Sequence, residues 1–227
     1  MSGQDAADRA LAARIDLRLA LRLVVLTDRR LAEPRSVEEI VERSLAAGAR
    51  AIQLRDKDAG AGALLSVALR MRDLTRRFGA LLFINDRLDV ALAARADGVH
   101  VGPDDIPVAA LRAKVPADFL IGYSCDLVAE ARRAVANGAS YIGCGAVYGT
   151  STKSGTGDAI GLERLDEVAA AVDVPVVAIG GITTERAVEV AGTRAAGVAV
   201  VGAVMAASDP ADAVRRLLGP FERRAAK

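Results

Sequence analysis

Tryptophan is absent from this chain, aromatic residues make up only 3%, and there is a single histidine. So few rings leave no platform on which successive bases could stack. An excess of either charge is also missing. Lys and Arg total 30 against 29 Asp and Glu, a net charge of +1, so there is no basic footprint for nucleic acid. Cysteine is scarce. Cys125 and Cys144 share neither a CxxC nor a zinc spacing, which argues for two semi-buried thiols in a reducing compartment rather than a disulfide. Long hydrophobic runs are missing as well: a stretch such as "VPVVAI" at 174–179 is strand-length, far short of the roughly 20 residues that span a membrane. The first 20 residues are rich in Ala, Asp and Arg and carry no continuous apolar segment, so no signal peptide is expected. These absences predict a cytoplasmic protein with neither nucleic acid nor membrane as partner.

What the chain does contain is apolar residues, 52% of 227, with 26% charged. That is enough to build the core of one large domain. The apolar residues come in eight short runs: "LRLVVLT" (21–27), "AIQLR" (51–55), "ALLFI" (80–84), "GVHVG" (98–102), "FLIGYS" (119–124), "SYIGCG" (140–145), "VPVVAIG" (174–180) and "GVAVVG" (197–202). Segments of helical period lie between them. In "SVEEIVERSLAAG", Ser36 and Glu39 have capping-box spacing, Val37, Ile40, Val41 and Leu45 form one stripe, and Gly48 stands where a helix would end. In "DPADAVRRLL", Asp209 is the expected N-cap and Pro210 the first helical residue. Strands apolar on both faces and alternating with helices predict a parallel sheet covered by helices. Eight such units predict an α/β fold, a (β/α)₈ TIM barrel forming a single domain over 21–227. An open doubly wound sheet would place its Gly-rich loop after the first strand, but "VVLTDRR" has no glycine there. Residues 1–20 form an N-terminal extension, either a helix plugging the barrel or a tail.

In such a barrel every strand ends on the face that carries the chemistry, and here the strand ends are polar. In "QLRDK", Gln53, Arg55 and Lys57 share one parity and Ile52 and Leu54 the other. An Arg and a Lys converging on a cavity suit a phosphate or diphosphate; the bland alternative is a surface salt-bridge cluster with Asp56 and Asp58. Asn85 and Asp86 follow the third strand, Asp104 and Asp105 the fourth. Carboxylates from neighbouring tips, without His or Cys, point to Mg²⁺, which takes one or two carboxylates and completes its shell with phosphate and water. Helix capping by Asp86 and a turn at Pro103-Asp104 are the competing readings. The sixth tip, "GAVYGTSTKSGTG" at 145–157, is too long for an ordinary connection and lacks P-loop spacing. Its hydroxyls, free backbone N–H groups and Lys153 suit phosphate, as do the glycines of "IGGIT" and "VVGA". His100 reads as a packed strand residue. No Ser/His/Asp or Cys/His set can be assembled, so the chemistry is expected to lean on electrostatics.

Taken in order, "TDR", "QLRDK", "INDR", "DGVHVGPDD", "IGYS", "YIGCGAVYGTSTK", "AIGGI" and "GVAVVGA" resemble the thiamine-phosphate synthase family over about residues 21–220. The resemblance implies a transferase that joins a hydroxymethylpyrimidine diphosphate to a thiazole phosphate, or its carboxylate, releasing diphosphate with the help of Mg²⁺. It implies a pyrimidine-diphosphate site of Gln53, Arg55, Lys57, Asn85, Ser124 and Lys153, with Arg55, Lys57, Ser124 and Lys153 in catalytic roles. Asp86 and Asp105 are implied as the metal ligands. Thr150, Ser151, Thr152, Gly180, Gly181, Val201 and Gly202 are implied as the thiazole-phosphate site. The implied reaction is a dissociative displacement without a protein nucleophile. Four positions depart from the family pattern: Asp126 replaces a usual His, Ala146 and Gly149 replace usual prolines, and Gly202 replaces a common Ser. The competing readings are a thiazole tautomerase-like barrel, which would lack the diphosphate and metal residues, and a non-catalytic binding protein for thiamine precursors. Small-molecule substrates are the expected partners; a homo-oligomer is compatible with the sequence but is not selected by it.

Overall fold

In the computed structural model, which describes residues 16–149 and 159–225, eight parallel strands close into a barrel in chain order. They are β1 Leu23–Leu26, β2 Ala51–Leu54, β3 Leu81–Asn85, β4 Gly98–Val101, β5 Leu120–Ser124, β6 Tyr141–Cys144, β7 Val176–Ile179 and β8 Gly197–Val200. β1 pairs with both β2 and β8, which closes the ring. The helices are α1 Leu17–Ala20, α2 Arg29–Ala32, α3 Val37–Ala46, α4 Ala61–Arg77, α5 Leu88–Ala93, α6 Val108–Arg112, α7 Val128–Ala136, α8 Gly161–Ala170, α9 Thr184–Ala191, α10 Gly202–Met205 and α11 Pro210–Ala225. Every predicted apolar run coincides with one of the strands, β3 alone running one residue further, to Asn85.

Side chains alternate between two apolar clusters, as strand geometry demands. Leu23, Val25, Ile52, Leu54, Leu82 and Ile84 point out and pack beneath the helices. Val24, Leu26, Ala51, Leu81, Phe83, Tyr141 and Val177 fill the lumen. The lumen pairs large with small: Phe83 stands opposite Gly98, and Tyr141 opposite Gly122. A Cβ on Gly122 would lie 2.2 Å from Cζ of Tyr141 and 2.4 Å from Nδ1 of His100, so only glycine fits. Below the strands, α1 is capped by Asp16, whose carboxylate accepts from the N–H groups of Arg18 and Leu19. Its Leu17 and Ala20, with Leu21, join the lumen cluster and close the barrel's lower end.

The helix expectations are met with one difference of detail. Ser36 Oγ accepts from the Glu39 N–H at 3.1 Å, α3 buries Ile40, Val41 and Leu45, and Gly48 takes φ +114° just beyond the helix. The Glu39 carboxylate, however, pairs along the helix with Arg43 at 3.0 Å. An i,i+4 cation competes with the backbone for that carboxylate. Asp209 Oδ1 accepts from the N–H groups of Ala211 and Asp212, and α11 begins at Pro210. Among the described residues no helix is long and apolar enough to cross a membrane.

Candidate active site

At the C-terminal ends of the strands, two cavities open side by side. The first, of about 210 Å³, lies over the lumen and is lined by Gln53, Arg55, Lys57, Asn85, Asp86, His100, Asp104, Asp105, Ser124 and Tyr141. The second, of about 400 Å³, lies over β6 to β8 and is lined by Ala146, Gly149, Gly180, Gly181, Arg186, Val201 and Gly202. They share Leu26, Arg55, Ser124, Ile179 and Ala199 as a common wall.

Strand parity supplies the first cavity. Gln53 is buried in the lumen, in register with Leu26 and Phe83. Beyond the end of β2, Arg55 is held by its backbone: its N–H donates to Thr27 Oγ1 at 2.9 Å, and the same hydroxyl donates to the Arg55 carbonyl at 3.2 Å. Thr27 is buried, so this two-way contact fixes the point where Arg55 leaves the barrel. The salt-bridge alternative for this tip fails. Asp56 and Asp58 pair instead with Arg29 and Arg30, while Lys57 reaches across to Asp86 at 3.1 Å.

Asp86 occupies the left-handed region at φ +61°, a conformation Asp tolerates better than most residues. The turn follows directly on β3, with the Asp86 N–H donating to the His100 carbonyl. Helix α5 is preceded by Arg87 and has no side-chain cap, so capping does not explain Asp86. Asp105 folds back through its carboxylate, which accepts from the Gly102 N–H at 2.7 Å; Asp104 is exposed on the rim. The carboxylates of adjacent tips thus border one cavity beside Arg55 and Lys57.

The cavity floor is a row of polar contacts. His100 Nε2 lies 2.8 Å from Ser124 Oγ, and Nδ1 lies 2.9 Å from the Tyr141 hydroxyl. Burial pushes the imidazole down from 6.5 to about 4, against an opposing pull from the Asp105 charge. His100 is therefore neutral at pH 7, with one ring nitrogen donating and the other accepting. Burial also raises the Tyr141 phenol, while a hydrogen bond from Gln53 works the other way. The phenol keeps its proton. Ser124, in register with Gly143, is thereby held between the floor and the common wall.

The second cavity is lined mostly by glycines and small or apolar residues. Gly180 and Gly181 have φ of 96° and 64°. A Cβ on Gly180 would come within 2.6 Å of Ala146 Cα, and one on Gly181 within 2.6 Å of the Gly149 carbonyl oxygen. The pair therefore lets the β6 and β7 tips touch, joined by the Val147 N–H donating to Ile179 and the Tyr148 N–H donating to Gly180. The Gly145–Ala146 peptide is cis. Thr150, Ser151 and Thr152, expected at this cavity, and Lys153, expected at the diphosphate site, lie outside the described residues, as does most of the predicted 145–157 loop.

Neither thiol belongs to the site. Cys125 and Cys144 are buried and free, and burial pushes both up to about 12. The structure adds Tyr141, Thr27 and Arg186 to the residues that sequence reading singled out, and it puts His100, read there as a packed strand residue, on the cavity floor. The parity of β4 and β6 could have placed both His100 and Tyr141 there, since His100 sits opposite Asn85. Arg186 lies on the first turn of α9 and had no signal in a helix that reads as ordinary and amphipathic.

This arrangement has counterparts. The family model described as thiamine monophosphate synthase matches residues 23–204. The thiamine-phosphate synthase of Roseiflexus castenholzii is 48% identical over 193 residues, covering 85% of this chain and 85% of that protein. That of Chloroflexus aurantiacus is 45% identical over 196 residues, 86% of this chain and 90% of that one. Among solved structures, thiamine phosphate pyrophosphorylase from Pyrococcus furiosus superposes with a TM-score of 0.84 at 41% identity, covering 92% of this chain and 99% of that one. A 3-hexulose-6-phosphate synthase, at 19% identity and a TM-score of 0.64 over 88% of this chain and 99% of that one, shares the fold alone. With the family match spanning most of the barrel and relatives so similar along nearly their whole length, the chain belongs to the thiamine monophosphate synthase family.

Proposed function

We propose that the protein is a thiamine-phosphate synthase, joining a hydroxymethylpyrimidine diphosphate to a thiazole phosphate. The observation that carries this reading is the pair of cavities meeting at Leu26, Arg55 and Ser124. One is lined by cations and carboxylates, the other by glycine backbone, and the shared wall lets the reacting ends of two substrates meet. The pyrimidine diphosphate belongs over the lumen, where Gln53, Asn85 and Ser124 offer hydrogen bonds to its ring. Arg55 and Lys57 bind its diphosphate, with Lys153 assigned there by the family resemblance. The thiazole phosphate belongs against Gly180, Gly181, Val201 and Gly202, with Thr150, Ser151 and Thr152 assigned there on the same ground.

The residues fit Mg²⁺. Asp86 and Asp105 border one cavity, and the donor set they offer is all oxygen. Two carboxylates with the rest of the shell left to substrate are what Mg²⁺ ordinarily takes. When bound, the ion neutralises charge on the diphosphate. The methylene C–O bond breaks with its electron pair leaving on the diphosphate, and the thiazole nitrogen lone pair forms the new C–N bond. Arg55 and Lys57 stabilise the charge that gathers on the leaving group. The thiols, held near 12 by burial, take no part, in keeping with a displacement that needs no protein nucleophile. Two buried, unpaired cysteines also suit a reducing cytoplasm.

The test is a product assay with both substrates, in Mg²⁺ and in EDTA. Magnesium-dependent thiamine phosphate is expected, and Asp86→Ala should lower kcat by roughly 100-fold or more. Binding of both substrates without product would overturn the synthase reading in favour of a precursor-binding protein. Full activity of Asp86→Ala in Mg²⁺ would overturn the metal assignment.

A further inference from the structure

Among the described residues, the second cavity has one cation beyond the common wall. Arg186 lines it, half-buried, on the first turn of α9. The guanidinium is held on two sides. Its Nη1 donates to the Gly181 carbonyl at 2.6 Å, and its Cζ stands 4.5 Å from the centroid of the Tyr148 ring. The Tyr148 hydroxyl in turn donates to Glu189 at 3.0 Å, one helical turn further along α9. An arginine fixed through its face and one corner has lost much of its rotamer freedom before any ligand arrives, so less is lost per bond formed later. The neighbouring Glu185 is engaged by Arg216 at 3.0 Å. Gly202 brings no side chain into this space.

We propose that Arg186 is a binding residue for the phosphate of the second substrate, and that it sets the preference for a phosphorylated over an unphosphorylated thiazole. This rests on the assignment of the second cavity to the thiazole phosphate. The contact with Gly181 gives the assignment its geometry: the arginine docks on the carbonyl of a glycine that lines the cavity, which places its charge beside the proposed phosphate cradle. Glycine N–H groups alone make neutral-donor hydrogen bonds, whereas a guanidinium adds a charge-assisted one of about twice the strength.

The decisive experiment compares Arg186→Ala and Arg186→Gln with the wild type, using the thiazole phosphate and the corresponding thiazole alcohol. Gln retains a donor for the Gly181 carbonyl without the charge, and thermal melting checks that both variants fold. Both are expected to weaken the thiazole phosphate by roughly 10- to 100-fold, as loss of one charge-assisted bond implies, while the alcohol and the pyrimidine diphosphate change by no more than about twofold. The preference for phosphate then collapses. Equal losses for phosphate and alcohol would overturn the proposal and leave Arg186 a clamp on the loop. So would Arg186→Gln behaving as wild type. Calorimetry with the thiazole phosphate alone separates this result from the proposed reaction. Binding that depends on Arg186 without any turnover would support the arginine's role and sink the synthase reading. No binding to the wild type would sink the arginine's role itself.

Discussion

His100 shows how much one side chain on the cavity floor can decide. Its imidazole, pushed to about 4 by burial, faces the Tyr141 phenol on one side, the Ser124 hydroxyl on the other and the Asp105 charge from the neighbouring loop. In the unfolded chain the same group titrates near 6.5. Between those values the unfolded state holds the extra proton, so stability rises with pH across that window. It is fully present above about pH 6.5, is lost as the pH falls, and is gone near 4. Urea unfolding is expected to show about 2 kcal/mol less stability at pH 5 than at pH 7 from this group. His100→Gln should flatten that slope; a variant as acid-sensitive as the wild type would show that other groups set it. Asp86 makes a second point at this scale. The left-handed turn at φ +61° is why "INDR" changes character so abruptly: the strand stops there and the carboxylate swings towards Lys57.

Among the elements, the strands were the most legible part of the sequence. Runs such as "ALLFI" and "GVAVVG" are apolar on both faces because helices cover one and the lumen packs the other. Parity also placed Gln53 and Arg55 at the mouth. Tyr141 and His100 were harder to see, because a polar group inside a barrel looks like any other strand residue until its partners across the lumen are known. Arg186 was invisible for a related reason, since its role depends on a loop contact with Gly181 that has no sequence period. The pairing of large with small residues belongs to the elements as well. Gly122 on β5 leaves the space in which Tyr141 meets His100. Gly122→Ala should therefore destabilise the fold by about 2–3 kcal/mol as overpacking, read as a lower urea midpoint. A midpoint within error of the wild type would mean that the lumen yields more readily than its distances suggest.

For the whole molecule, the barrel sequesters both of its thiols. Cys144 is fully buried and Cys125 nearly so, and each thiol is pushed up to about 12. The thiolate is the reactive form, so a thiol reagent at pH 8 should label neither cysteine in the native protein and both after denaturation. Prompt labelling of the native chain would mean that the helices of this face open far more often than their packing implies. The lower end of the barrel has a consequence for traffic. With α1 seated beneath the lumen and Leu21, Leu81 and Tyr141 filling it, the molecule is a cup rather than a tube. Everything that enters must leave by the same doorway, so each finished load has to be emptied past the rim before the next can be set down.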